Sequence, residues 1–318
     1  GELITTRDAR VAGDSRFMVG AGRLQSRSGR VTLDVGHYTS GGTAAAELQA
    51  AESVTLKASE GDVRVGNVSA KHIALDAPVG RILAAQADGN RLTATDLVDL
   101  NGGGAGLGIG ESSDKPVTVD APRVAASSAA GNVYLRLLGD DVTAERLNAP
   151  GGVLNVAAAN NLRVRSDVLA RSIQLQAAGL LDSTGVAIRA TLADGDLSLV
   201  GGRVLADRVL HDNGSVVIQG TQGVNVTGQL LAGTDALISS DEGDVTVTTA
   251  QSGEQFKATA DGDLSVATLE AGGNAALLAG GTLSVGQAQS GQNMLLQGVG
   301  QVQAEVLNAS AALDITST

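Results

Sequence analysis

Several residue types that ordinarily stabilise a protein of this size are scarce or missing. The chain has 318 residues, with no cysteine and no tryptophan. Disulfides, thiolate metal ligands and cysteine nucleophiles are therefore excluded. Aromatic residues make up 1% of the chain, as two phenylalanines and two tyrosines. Because aromatic side chains usually contribute much of a globular core, we expect a narrow, regular interior of valine, leucine, isoleucine and alanine.

Further absences exclude other classes of protein. Proline occurs only 4 times against 43 glycines, which excludes collagen and proline-rich disorder. The three histidines, His37, His72 and His211, are too far apart for an HxH or HxxxH motif, so no metal site is predicted. There is no run of about 18 apolar residues and no basic-then-apolar leader. A chain that begins at glycine is interpreted as a piece of a longer protein.

Negative charge predominates and is unevenly distributed. The formal net charge is −12, which disfavours a nucleic-acid partner and an anionic membrane surface. Residues 221–318 carry Lys257 against ten carboxylates. We interpret this acidic part as a solvated surface. No cofactor and no stable membrane insertion are predicted.

A repeat of 19 residues dominates the sequence. Four consecutive copies are GDVTVTTAQSGEQFKATAD from Gly243, GDLSVATLEAGGNAALLAG from Gly262, GTLSVGQAQSGQNMLLQGV from Gly281 and GQVQAEVLNASAALDITST from Gly300. Apolar residues recur at positions 3 and 5 and again at positions 14 and 16 of each copy. This alternation predicts two short strands whose side chains point inward.

The repeat predicts the positions of four inward rows. Each row collects the equivalent residues of the four copies. The rows are Val245, Leu264, Leu283 and Val302; Val247, Val266, Val285 and Ala304; Phe256, Ala275, Met294 and Leu313; Ala258, Leu277, Leu296 and Ile315.

The same period recurs elsewhere in the chain. Copies run over 42–60, 61–79 and 80–98, and another begins at Asn161. Short units with glycine corners and no helical periodicity predict coils of a right-handed parallel β-helix. Helical solenoids need longer units, and the LxxLxLxxN framework of leucine-rich repeats is missing. We therefore expect one all-β segment over residues 1–318, with about 16 coils at this period.

Two stretches, 99–130 and 180–201, interrupt the period. Loops inserted at the corners of a solenoid often carry its function. The first stretch contains a glycine cluster followed by Glu111, Asp114 and Lys115. The glycines match neither the dinucleotide-binding nor the phosphate-binding spacing. If this segment projects, these three charged residues are the candidate ligand contacts.

An enzyme is the first alternative, because polysaccharide lyases and hydrolases also use β-helices. Such sites need carboxylates together with a base or a cation on neighbouring coils. The local candidates are two charged clusters: Asp140, Asp141, Glu145 and Arg146; Asp207, Arg208, His211 and Asp212. Both are also typical of exposed corners. The Gly–Asp pairs at 61, 243 and 262 are interpreted as corners rather than as calcium ligands.

The GDLSV, GDVTV and GTLSV openings, each followed by LxA or LxL segments, resemble the repeats of filamentous haemagglutinin and related two-partner-secretion exoproteins. The resemblance covers most of the chain and implies a right-handed parallel β-helix that is secreted or held at the bacterial cell surface. It also implies export by an outer-membrane transporter partner, and adhesion to a host-cell or neighbouring-cell receptor or glycan. The family's NPNG and NPNL secretion motifs do not occur in this sequence, and the family supplies no catalytic residues.

A shaft that presents a contact-dependent growth-inhibition toxin is the second alternative, because effectors of that kind use similar repeats. The sequence thus predicts a structural and adhesive shaft segment without catalysis.

Overall fold

The computed structural model describes residues 2–19, 23–40, 47–85, 90–103, 108–193 and 195–317. These residues form parallel strands that wind into a β-solenoid of about 14 coils, with about 20 residues in each coil. The predicted all-β parallel β-helix is thereby confirmed. The described part of the chain contains no helix, and so none that could span a membrane.

The chain divides into two compact units, residues 1–160 and 161–318. The first unit contains fourteen strands. They are β1 (Glu2–Thr5), β2 (Ala9–Val19), β3 (Arg23–Ser26), β4 (Arg30–Ser40), β5 (Glu47–Ala50), β6 (Ser53–Ala58), β7 (Val63–Val65), β8 (Asn67–Ala77), β9 (Ile82–Ala84), β10 (Leu92–Gly102), β11 (Val117–Asp120), β12 (Arg123–Ser128), β13 (Val133–Leu137) and β14 (Asp141–Ala158).

The second unit contains another fourteen strands. They are β15 (Asn161–Val164), β16 (Val168–Ala190), β17 (Asp196–His211), β18 (Ser215–Gly220), β19 (Gly223–Ala232), β20 (Ala236–Ser240), β21 (Asp244–Ser252), β22 (Phe256–Ala260), β23 (Leu264–Ala271), β24 (Ala275–Ala279), β25 (Leu283–Ser290), β26 (Met294–Gly298), β27 (Val302–Ala309) and β28 (Leu313–Ser317).

The inward rows of the second unit follow the predicted register. Leu264 pairs in parallel with Leu283, and Leu283 pairs with Val302. The other three rows also pair in the predicted register, but their members in the last copy, Ala304, Leu313 and Ile315, are exposed. Leu264 and Leu283 are 0% exposed. Stacking of equivalent aliphatic side chains in successive coils therefore forms the core of this unit.

The coils that contain β21, β23 and β25 also have a third inward segment that the repeat did not predict. In β21 the burial alternation changes phase after Val247, so Ala250 and Ser252 point inward too. The next coil places Leu269 and Ala271 on the same rows. Most of the residues on this side of the interior are small, such as Ala250, Ser252 and Ala271.

Coils in the first unit vary in length, and this makes the coil number smaller than predicted. Val63 pairs with Ile82 at the predicted spacing. Leu92, however, pairs with Val68 and not with Ile73, whose partner is Val98. Additional residues before β10 displace this strand, so the predicted register of the 80–98 copy is right for its first strand and wrong for its second.

The two irregular stretches are shorter in the structure than in the sequence pattern. Residues 99–102 belong to β10 and pair with 125–128 of β12. The departure from the coil therefore lies within 103–116, of which residues 104–107 lie outside the described part. In the stretch 180–201, residues 180–190 and 196–201 are strand, and register shifts occur after Ala177 and Ser183.

Aspartate and glycine cooperate at the corners of successive coils. The Oδ1 atom of Asp244 accepts a hydrogen bond from the Asp263 N–H at 2.8 Å, and Asp263 accepts one from the Thr282 N–H at 2.7 Å. A Cβ atom on Gly281 would lie 2.4 Å from Asp263 Oδ1. The glycine leaves space for the carboxylate, which satisfies a backbone donor of the next coil. Asp8 and Asp62 make the same contact in the first unit.

A second column of glycines lies where adjacent backbones approach closely. A Cβ atom on Gly253, Gly272 or Gly291 would lie 1.9 to 2.1 Å from the carbonyl oxygen of the glycine one coil earlier. No side chain fits at these positions, so glycine is required for coil-to-coil contact.

Candidate functional site

The segment around the predicted ligand contacts leaves the coil only briefly. Ile109 is fully buried and bridges Ile82 and Val133 of the neighbouring coils. Gly110 has a φ of +77°, in the left-handed region that favours glycine, and a Cβ there would lie 2.8 Å from Tyr134 Cβ. The chain returns to the coil at the buried Pro116. After Gly110, the described part of the predicted excursion is a tight turn over 111–115.

The turn brings two of the three candidate ligand contacts together. The Glu111 N–H donates to the Lys115 carbonyl at 3.0 Å, and the Lys115 N–H donates to the Ser112 carbonyl at 3.1 Å. The Lys115 Nζ atom lies 3.3 Å from Glu111 Oε1. Asp114 is exposed at the tip of the turn and joins neither contact. The turn thus presents an ion pair and a separate carboxylate to solvent.

A shallow depression of about 150 Å³ lies beside this turn. Glu111 and Lys115 line one side, and Arg64 and Leu83 contribute to the rest. Arg64 is exposed. This depression is smaller than the usual volume of a small-molecule site, so the turn offers a contact surface rather than an enclosed pocket.

A larger groove lies elsewhere on the first unit and was not predicted from the sequence. This groove, called the polar groove, is about 510 Å³ in volume. Its polar lining residues are Glu47, Gln49, Asn67, Ser69, Asn90, Arg91, Thr93, Thr118 and Arg136, and its apolar ones are Leu48, Val68 and Leu138. Its outward side chains come from consecutive coils, since Gln49 pairs with Ser69 and Ser69 pairs with Thr93. A row of amide and hydroxyl groups therefore crosses the coils.

Two of the three charged side chains in the polar groove are already neutralised. Arg23 Nε lies 2.8 Å from Glu47 Oε2, and Arg91 Nη1 lies 3.2 Å from Asp120 Oδ2. Arg136 is exposed, and within the described part of the chain no carboxylate lies within 4.0 Å of its guanidinium group. Among the described residues, one positive charge in the groove thus has no counterion.

A column of ionisable side chains, the charged column, runs across four consecutive coils of the same unit. His72 Nε2 lies 3.4 Å from Asp96 Oδ2, and Arg123 Nη1 lies 3.0 Å from Asp96 Oδ1. Arg123 Nε also lies 2.9 Å from Glu145 Oε1. Hydrogen bonding to Glu145, assisted by Asp96, raises the pKa of Arg123. The charged column could not be found by sequence spacing, because its members are separated by whole coils.

The first predicted catalytic cluster is divided in the structure. Glu145 joins the charged column, whereas Arg146 Nη2 turns to Asp99 Oδ1 at 2.8 Å. Asp140 and Asp141 are exposed. The four residues therefore do not converge on one point.

The second predicted cluster is divided because His211 is buried whereas Asp212 is exposed. His211 is 0% exposed, and its Nε2 atom lies 2.7 Å from the Gly195 carbonyl oxygen. Asp212 pairs outward with Arg189. Within the described residues the buried Nδ1 atom of His211 has no hydrogen-bond partner. The imidazole is consequently closed to solvent, so the cluster forms neither an open site nor, at His211, an exposed corner.

At the Gly–Asp corners the aspartate carboxylates accept hydrogen bonds from other residues of the protein. Asp62 accepts hydrogen bonds from the Arg81 backbone N–H at 2.9 Å and from the Arg81 guanidinium at 3.0 Å. Burial acts to raise the pKa of Asp62, but these hydrogen bonds and the positive charges of Arg81 and Arg64 outweigh it and lower the pKa. In the described ranges no group of three or more potential metal-ligating side chains was found.

No protein-family model, curated protein or solved structure matches the chain. The resemblance to filamentous haemagglutinin therefore depends on the repeat residues alone.

Proposed function

We propose that this chain is a structural and adhesive shaft segment of a large secreted bacterial surface filament. The observation that carries the proposal is the repeated parallel register of the second unit, in which each coil forms the template for the next. Such coils add length and outer surface without enclosing a cavity. The outward row of Thr246, Ser265 and Ser284 is polar and repetitive. Weak contacts repeated along such a surface can add up to stable attachment.

The resemblance to two-partner-secretion exoproteins supports the remaining parts of this proposal. The chain would be exported by an outer-membrane transporter and would act at the bacterial surface or after release. Its receptor would be a protein or a glycan of a host cell or neighbouring cell. Among its surfaces, the turn that contains Glu111, Asp114 and Lys115 and the polar groove interrupt the regular faces, so they are the candidate specific contacts.

Attachment of protein-coated beads to epithelial cells tests the adhesive function. Beads coated with the chain should bind more than beads coated with an unrelated acidic protein. The triple variant Glu111→Gln, Asp114→Asn, Lys115→Gln should bind less if the turn is the contact. Asp241→Asn with Glu242→Gln serves as the control, because both residues are exposed at a corner of the second unit. Wild-type attachment no greater than that of the unrelated protein would refute adhesion.

A polysaccharide-processing enzyme is the second candidate, and the charged column is the observation that favours it. Asp96, Arg123 and Glu145 gather carboxylates and a cation on neighbouring coils, as such an enzyme requires. Incubation with acidic and neutral polysaccharides, followed by measurement of new reducing ends, tests this function. Activity that Asp96→Asn abolishes would support it, whereas the adhesive shaft predicts no release of product.

A further inference from the structure

We propose that the polar groove binds an unsulfated acidic oligosaccharide, with one uronate carboxylate held by Arg136 and sugar hydroxyls held by its amide and hydroxyl side chains. This inference rests on the proposed adhesive function and assigns a ligand class to one surface of the first unit. It concerns residues that lie outside the turn at 111–115.

The dimensions and the lining of the groove indicate a sugar-like ligand. A volume of about 510 Å³ is within the range of ligand sites. In the described structure the side chains of Gln49, Ser69, Thr93 and Thr118 line the groove without an intramolecular hydrogen bond. An amide offers a donor and an acceptor, and each hydroxyl offers both as well. A ligand with many hydroxyl groups can satisfy them, whereas an apolar ligand would leave them unpaired.

The repeat of the fold indicates a linear ligand rather than a compact one. Gln49, Ser69 and Thr93 occupy equivalent positions on consecutive coils. Neighbouring parallel strands are about 4.8 Å apart, so the polar groups recur at a distance comparable to the length of one sugar ring. The groove has no aromatic lining for ring stacking. Hydrogen bonds and charge therefore have to provide the affinity.

The charges in the groove select a carboxylate. Glu47 and Arg91 are each paired with a residue of opposite charge, and Arg136 is the lining arginine whose guanidinium has no ion-pair partner among the described residues. A guanidinium binds a carboxylate through two parallel hydrogen bonds. Sulfated glycans carry several charges on each disaccharide and need a run of cations. A single arginine can hold one carboxylate, and the uncharged amide and hydroxyl side chains can hold the hydroxyl groups of the neighbouring sugars.

Binding of a galacturonate hexasaccharide, measured by calorimetry or by ligand-observed NMR, tests the proposal. Its fully methyl-esterified form keeps the hydroxyl pattern but removes the charge. The wild-type chain should bind the acid about tenfold more tightly than the ester, because charge-assisted hydrogen bonds are roughly twice as strong as neutral ones. Equal affinity for the two forms would overturn the proposal without any variant.

Substitution at Arg136 locates the site. Arg136→Gln should weaken binding of the acid about tenfold and leave the ester unaffected, whereas Arg136→Lys should retain part of the preference. Arg171→Gln is the matched control, since Arg171 is an exposed arginine of the second unit. Unchanged thermal unfolding of Arg136→Gln will show that the fold is intact. Unchanged binding by a folded Arg136→Gln would refute the assignment.

Two further measurements separate this proposal from its alternatives. A heparin hexasaccharide should bind no more tightly than the galacturonate, and much tighter heparin binding would indicate nonspecific attraction and overturn the choice of ligand. If the hexasaccharide fails to bind while cell attachment persists, the groove proposal is refuted and the adhesive function stands. If the hexasaccharide binds through Arg136 without cell attachment, the groove proposal stands and adhesion is refuted.

Discussion

The aliphatic row through Leu283 should determine the stability of the C-terminal coils. Leu283 is 0% exposed and lies between Leu264 and Val302 in neighbouring coils. Replacing it by aspartate removes about 2 kcal/mol of side-chain burial and leaves a charge without a partner, which costs several kcal/mol more. Because folded proteins are stable by only about 5–15 kcal/mol, we expect the coils around Leu283→Asp to unfold.

The neighbouring position provides the control. Ser284 lies on the outward row, so Ser284→Asp should change the free energy of unfolding by less than about 0.5 kcal/mol. Urea denaturation will give the two midpoints, and hydrogen exchange will show which coils lose protection. The Leu283→Asp chain should lose protection in β23 to β28 before other strands of the second unit, since stability in a solenoid depends on neighbouring coils. Equal midpoints for the two variants would refute the register.

Two other predictions concern the corners. Gly272→Ala should destabilise the second unit by about 1–3 kcal/mol, because its Cβ would lie 2.1 Å from the Gly253 carbonyl oxygen. Gly300→Ala should cost less, because the nearest atom to a Cβ there lies at 3.3 Å. Thermal unfolding that ranks the two variants in the opposite order would contradict the close approach at Gly272. The lowered pKa of Asp62 means that its stabilising contribution is complete above its ordinary value of 3.8 and is lost as the pH falls through the lower folded value. Asp62→Asn should therefore weaken the acid dependence of unfolding in that range, and an unchanged dependence would show that Asp62 does not contribute.

The rows of the second unit were predictable because large aliphatic residues recur at a constant spacing. The third inward segment was not, since Ala250, Ser252 and Ala271 are small or polar and give no apolar alternation. Whether a small residue is buried depends on the path of the backbone around the complete coil, which the local sequence does not reveal. The register around Leu92 was wrong because residues inserted before β10 change the coil length without changing the local pattern.

The candidate surfaces were largely beyond prediction for a related reason. The polar groove and the charged column depend on which residues of separate coils lie side by side, and unequal coil lengths obscure that relation in the sequence. The turn at Glu111 and Lys115 was found because a glycine cluster marks it locally. For His211 the sequence misled differently, since the neighbouring acids indicated an exposed corner or a catalytic cluster although its side chain points into the interior.

The aspartate-to-glycine corner has a consequence for how such a chain changes its length during evolution. The carboxylate of Asp263 depends on the N–H group of Thr282 and on the absence of a side chain at Gly281. Duplication or deletion of a whole 19-residue unit places an equivalent donor and glycine above every aspartate. A partial insertion leaves one carboxylate and one N–H group without partners, which is costly at a crowded corner. Recombination between copies can therefore add or remove complete coils while every remaining corner keeps its hydrogen bond.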